Sequence, residues 1–496
     1  MNQKINSIIY IASILFMAGC SADGNENTPI PENGVRIEVE APQMNGWSTE
    51  ENSYTRSGEA ISVQQKGEDG LDMKVDLLSD TAGTFTDKAT TRWTNMDDNT
   101  VFRVVAYACT SAATITTSNY KGYGDYKLLA NGTVQTVKSL TLPLGTYTFV
   151  CYSYGNSTAL SAFSNTTTSI TTTNGNNFMT CVKPNIVINN IGSTYTLSNI
   201  VFTHHCVRYR VSAAAQSGRM ANITACAATL TLPKNSATYN FTNNGFTINT
   251  ATNALNTTWN NPNAMTVYSN YVYILPQSAS NITVNLNITI GGKAFNNKST
   301  TLSGITLNAN GTYRSNVSFT TEGYIVGGAL WANGNLYKSG NSYFIYNSTE
   351  VYVGSNESGA FFTGNNPEPY PSTIDATPWT DANDPCRKLT NAVGKWRLPK
   401  KTEFDQLVAS GYTSDFILNG VNGCNFGNTL FLPYSGYIPQ SDFQYVEAGQ
   451  RGLLWSTPGS VMSYAGSTNI GGAGIAFTHW SAFLQNHYGI RCVRNI

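Results

Sequence analysis

Nine cysteines, four histidines and 29 acidic residues are the groups here that could hold a metal, move a proton or attack a carbonyl. Their spacing supports little of that chemistry. His204 and His205 are adjacent in an alternating stretch, so their side chains point to opposite faces and cannot share a metal in simple geometry. His479 and His487 read as surface or core residues, and Asp97-Asp98 as a turn. The sequence contains no Gly-x-Ser-x-Gly, no His-Glu-x-x-His and no phosphate-cradling glycine loop. No cysteines are spaced Cys-x-x-Cys, so zinc and dithiol redox motifs are unsupported. The expectation is a protein without catalytic residues, metal or cofactor.

Cys20 carries a different chemistry. Lys4 followed by the apolar run Ile8 to Met17 has the form of an export signal, residues 1–19, and is too short to span a bilayer comfortably. The run ends Phe16-Met17-Ala18-Gly19-Cys20, which resembles a bacterial lipobox. That resemblance implies an outer-membrane lipoprotein precursor with diacylglycerol and palmitate on Cys20. No later segment approaches the ~20 apolar residues of a membrane-spanning helix, so lipid would be the only attachment. Setting Cys20 aside leaves an even number of cysteines, which permits disulfides in an exported chain without fixing their connectivity.

Charged residues are only 12% and the net charge is +0, which argues against a nucleic-acid binder, since that needs a basic face. Asn, Thr, Ser, Gly and Tyr dominate, a composition of strands and turns. The Asn-x-Ser/Thr triplets at Asn131, Asn281 and Asn287 read as compositional.

The positioning elements are alternating stretches. Gly34 to Glu40 is a short one, and Leu71, Met73, Val75 and Leu77 form one face of another. A turn-rich linker follows and ends at Arg92, directly before strands at Val101 to Ala108 and Thr146 to Tyr154. Tyr120 to Gly124 and Ser164 to Asn177 read as loops. Val201 to Val211 reads as one strand, followed by Ala228 to Leu232, Val267 to Leu275, Val284 to Ile290 and Gly311 to Phe319. From Gly323 the chain is rich in Gly, Trp and Tyr. It has a short helix over Asp384 to Asn391 and a second opening at Pro399, with Thr402 and Asp405 as a capping-box variant. Phe404, Leu407 and Val408 share that helix's apolar face, and His487 to Arg494 reads as a terminal strand.

In order, the chain carries a lipobox, Thr-Thr-Arg-Trp, Val-Phe-Arg-Val-Val-Ala-Tyr, Leu-Pro-Leu-Gly-Thr-Tyr-Thr-Phe, Tyr-Ile-Leu-Pro-Gln and Gly-Thr-Tyr-Arg-Ser-Asn-Val. Over residues 70–320 this resembles the fimbrillin family of Bacteroidales surface lipoproteins. The resemblance implies two transthyretin-like β-sandwiches at 93–194 and 195–320, preceded by a lipidated leader at 20–92. It also implies a fimbrium assembled by donor-strand exchange after an arginine-specific protease removes the leader. The expected cut is Arg92, releasing the strand Leu71–Leu77 as the plug of a groove. Arg56 is the competing site, and cutting there is expected to leave Leu71–Leu77 in place.

Residues 323–496 contain Asp-Pro-Cys at 384–386, Trp-Arg-Leu-Pro at 396–399, Leu-Trp-Ser-Thr at 454–457 and Arg-Cys-Val-Arg at 491–494. This is similar to the Fibrobacter succinogenes major paralogous domain, a relative of C-type-lectin-like folds. The resemblance implies an α+β adhesive domain at 321–496 and a Cys386–Cys492 disulfide, with Cys424 left over or partnered differently. The same frame resembles formylglycine-generating enzymes, but the closely spaced cysteine pair they need is missing, and so are the calcium-lectin triplets. Trp379, Tyr434, Tyr437 and Trp480 are the candidate ligand aromatics; Trp396 and Trp455 are expected in the core. The combined reading is a mainly β fimbrial tip adhesin that accepts a strand from another subunit and binds a host or bacterial surface glycan or protein. A lipid-retaining fimbrial anchor and a non-polymerising glycan-binding lipoprotein are the alternatives.

Overall fold

The computed structural model describes residues 34–48, 61–80, 93–345, 360–370, 377–441, 443–465, 477–481 and 483–494. Strands predominate there, in several sheets, with one α-helix, so the fold is mainly β and multi-domain. Five strands lie in or just after the stretch read as a leader: β1 (Val35–Val39), β2 (Gln43–Asn45), β3 (Ser62–Gln65), β4 (Leu71–Ser79) and β5 (Trp93–Asn95). They are distributed between two sandwiches.

In the first sandwich β1 is the middle strand of three, parallel to Thr194–Leu197 and antiparallel to Leu140–Leu142. Alternation places Val35, Ile37 and Val39 in the core, against Phe102, Val104, Phe149 and Phe202 of an eight-stranded sheet. β2 and β5 form one end of that larger sheet, with β2 parallel to Val201–His204.

The second sandwich contains β4. Its sheet runs β3, β4, Thr312–Thr321, Val207–Ala214 and Thr266–Tyr268 in neighbour order, facing a sheet built on Ile223–Asn240, Gln277–Ile290 and Lys293–Leu307. β4 pairs with Thr312–Thr321 from Leu71↔Thr321 to Ser79↔Tyr313. Leu71, Met73, Val75 and Leu77 are all buried, opposite the inward Val284, Leu286, Ile288 and Ile290. The strand expected as a plug, β4, is thus part of the second sandwich, and β1 holds the equivalent place in the first.

Other departures have local causes. Val201 to Val211 is two strands, Val201–His204 and Val207–Ala214, because the chain crosses between sandwiches at His205-Cys206. The first sandwich therefore continues to His204, past the expected boundary at 194. Val267 to Leu275 likewise splits into Thr266–Tyr268 and Val272–Ile274, both paired with Val207–Ala214. Tyr120 to Gly124 opens a nine-residue strand, Tyr120–Leu128. Its register shifts beside Gly122, whose φ is +143°, and a Cβ on Gly124 would meet Tyr126 and Leu140. The glycines that suggested a loop serve a bulge and a close approach. Within Ser164 to Asn177, Ser169–Thr173 pairs with the far end of Ile223–Asn240.

From Tyr324 onward the third unit forms several small sheets, one of them ordered Tyr324–Val326, Ala329–Trp331, Val493–Arg494 and Trp396–Arg397. The terminal strand is thus Val493–Arg494, shorter than read. Pro385–Lys388 is a single 3-10 turn, and the helix α1 spans Lys401–Ala409. Its N-cap is Lys400, whose backbone N–H donates to Glu403 Oε2 at 2.7 Å. The Thr402–Asp405 box does not form, because Arg397 fixes Glu403 through a two-pronged ion pair and Asp405 pairs with Lys401.

Asp80, directly after β4, shows how firmly that strand is held. Its carboxylate is fully buried, ion-paired to Arg210 and Arg314, and accepts the Tyr271 hydroxyl at 2.7 Å. Burial alone would raise its pKa, but the hydrogen bonds from Arg210 and Tyr271 and the two cationic charges hold it below the usual carboxylate range. Asp80→Asn leaves buried guanidinium charge uncompensated and is expected to cost about 3–5 kcal/mol. Asp98→Asn, in an exposed turn, should change stability by less than about 0.5 kcal/mol. Urea unfolding of both variants measures the contrast.

Candidate assembly groove and ligand face

Two regions could carry function: the strands that precede Arg92, and the aromatic surface of the third unit. β1 and β4 together bury seven large apolar side chains. At about 1.5–3 kcal/mol each, that is roughly 10–20 kcal/mol gross, as much as the whole stability of an ordinary domain. Removing β1 would part Leu140–Leu142 from Thr194–Leu197, and removing β3 and β4 would leave Thr312–Thr321 unpaired on one side. Cys20, Arg56 and Arg92 lie outside the described residues, but their order relative to the strands is fixed. A cut after Arg56 severs β1 and β2 only, whereas a cut after Arg92 severs β1 through β4. Either cut therefore detaches β1 of the first sandwich, and only the Arg92 cut also detaches β4 of the second.

In the third unit the motif residues hold the fold. Cys386 and Cys492 are disulfide-bonded, while Cys424 is free and buried. Asp384 accepts hydrogen bonds from the backbone N–H groups of Cys386 and Leu398, and burial raises its pKa to about 6. The buried Arg491 guanidinium donates to Asn335 Oδ1 and to the carbonyls of Ala332 and Phe431.

Of the four aromatics singled out, two are core residues. Trp379 is buried edge-on to Trp455, and Tyr434 is fully buried beside Cys424 and Tyr464. Neither can stack on a ligand. Tyr437 is half-buried, parallel to Tyr488. Trp480 sits opposite Val461 in Thr478–Ser481, and its side chain is outside the described residues.

The sequence reading missed a neighbouring cluster of Tyr370, Phe443 and His487. Phe443 is 43% exposed and adopts φ +52°, a left-handed conformation rare for a bulky residue. Its ring lies parallel to Tyr370 at 6.1 Å, and Tyr370 meets His487 edge-on at 5.2 Å. The available signal was Phe443 and Tyr445 set in an otherwise polar loop. A separate concavity of about 850 Å³ between the second sandwich and the third unit is lined by Met220, Asn222, Met265, Gln406 and Asn428, among others, with no titratable side chain. Among the described residues no cluster could hold a metal ion, and no helix is long and apolar enough to cross a membrane.

No family model and no curated protein matches the chain. Solved structures do. One from Bacteroides fragilis, provisionally named a cell adhesion protein, is 16% identical over 58% of this chain and 98% of its own, with a TM-score of 0.36. A similarly named structure from Bacteroides uniformis is 14% identical, covering 46% and 91%, with a TM-score of 0.31. The fimbrial anchor protein Mfa2 from Porphyromonas gingivalis is 11% identical, covering 50% and 78%, with a TM-score of 0.24. These values establish neither a family nor a role.

His487 is fully buried with neither ring nitrogen hydrogen-bonded among the described residues. Burial lowers its pKa from 6.5 to about 4, and the nearby Ile438 backbone opposes the shift only in part. The unfolded chain therefore binds the proton first as pH falls. The residue's contribution is complete above pH 6.5 and is lost toward pH 4, about 3 kcal/mol in all. Urea unfolding at pH 7 and pH 4.5 should show this loss, and His487→Phe should flatten it.

Proposed function

We propose that this protein is a structural and adhesive subunit of a bacterial surface fimbrium. Strands upstream of Arg92 complete both sandwiches, and strands from another subunit replace them after the leader is removed. The observation carrying this reading is that β1 is an interior strand of the first sandwich and β4 an interior strand of the second. A cut leader stays docked by its buried face until a strand of the same alternation displaces it. Main-chain hydrogen bonds give such an exchange its affinity, and alternating pockets give it register.

The third unit supports placement at a tip. Val493 pairs with both Trp331 and Arg397, and Cys492 is locked by its disulfide, so these residues are occupied within their own unit. They are not available for donation to a neighbour. In this proposal the third unit is lectin-like and Phe443 with Tyr370 is its adhesive face, suited to stacking on a sugar or an apolar peptide side chain. The fragilis and uniformis structures named for cell adhesion and the Mfa2 anchor are consistent with a surface role. Cys20 would carry the lipid before processing.

Two outcomes test the proposal. N-terminal peptide mapping of sheared fimbriae should find a mature chain starting at Trp93; a chain still beginning at Cys20 contradicts processing, and one at Ser57 moves the cut to Arg56. On glycan and protein arrays, Phe443→Ala should weaken binding by the full chain about tenfold or more with stability unchanged. Unaltered binding removes this face from the adhesive role.

A further inference from the structure

We propose that the strand replacing β4 carries a carboxylate immediately beyond its apolar alternation, seated where Asp80 sits in the intact chain. The inference rests on the strand-exchange reading and specifies the partner's chemistry. Val207–Ala214 and Thr312–Thr321 turn their inward residues to the core and Arg208, Arg210 and Arg314 away from it. Asp80 is the carboxylate shared by two of these arginines: Oδ1 accepts from Arg210 Nη2 at 3.0 Å and from Arg314 Nη1 at 3.3 Å. Oδ2 accepts from the Tyr271 hydroxyl at 2.7 Å and from Arg210 Nε. The two guanidinium side chains are only 12% and 14% exposed. Water therefore cannot take over the carboxylate's place without loss.

Asp80 lies upstream of Arg92, so a cut there removes the acid together with β4 and leaves the arginines behind. The site also has unused donor capacity. Among the described residues the Nε atoms of Arg208 and Arg314 are buried without an acceptor, and Arg208 is held over the rings of Trp47 and Tyr271 at 5.2 and 4.5 Å. An entering strand with alternating apolar residues but a neutral or basic residue at this position leaves two or more positive groups facing one another. One with Asp or Glu restores the pairing. The arginines thus act as a check on register and partner that the apolar groove, tolerant of many side chains, does not provide.

The test uses the full chain with a sequence-specific protease site placed in the 81–92 segment. The cut protein is challenged with a fluorescent peptide of residues 69–80 in excess over the resident leader. Three versions are compared, with Asp, Asn or Lys at the last position. Uptake of the Asp peptide, with the Asn peptide about thirtyfold weaker and the Lys peptide weaker still, is the expected result. Equal uptake of all three overturns the carboxylate requirement and leaves strand exchange standing. Failure of every peptide to enter, with circular dichroism showing the cut chain still folded, overturns strand exchange in this sandwich and the inference with it.

Discussion

The structure depends on one constraint: neither sandwich can close its core with the residues after Arg92 alone. Val35, Ile37 and Val39 cover one core, and Leu71, Met73, Val75 and Leu77 cover the other. Both sets come from chain that precedes Arg92. An alternating strand bound on both sides gains main-chain hydrogen bonds and apolar burial together, so its loss is costly in both currencies. A chain built this way keeps both cores closed only while these strands stay in place.

The three units are joined by packing as well as by sequence. The strand Ile223–Asn240 runs out from the second sandwich, and Tyr239 with Phe241 packs on Tyr107, Tyr152 and Phe163 on the outer face of the first. Arg103, buried there, binds Asp125 through both arms of its guanidinium and donates to the Tyr152 hydroxyl. At the other end, the core of the second sandwich continues through Ile325 and Leu330 to Cys386, Trp396 and Trp455. Arg494 pairs with Glu322 across the same junction.

Much of this was legible as alternation. Leu71 to Leu77 and Val284 to Ile290 bury the faces their spacing indicates, and Phe404 and Leu407 sit on the buried side of α1. What alternation does not encode is which sheet a strand joins. That depends on partners more than 100 residues away, as with Val35–Val39 beside Thr194–Leu197. For the same reason one apparent strand through His204 and His205 is two, serving different sandwiches. In the third unit, aromatic residues were equally unreadable by type: Trp379 and Tyr434 fill the core, while Phe443, in a polar loop, reaches the surface. Burial there is decided by loop packing, which has no period.

Hydrogen exchange on the chain before and after cutting in the 81–92 segment and release of the leader addresses the central claim most directly. The account predicts that Leu140–Leu142, Thr194–Leu197 and Thr312–Thr321 lose protection when the leader leaves and regain it when an assembly partner binds. Protection of those three strands that is unchanged by loss of the leader would contradict it.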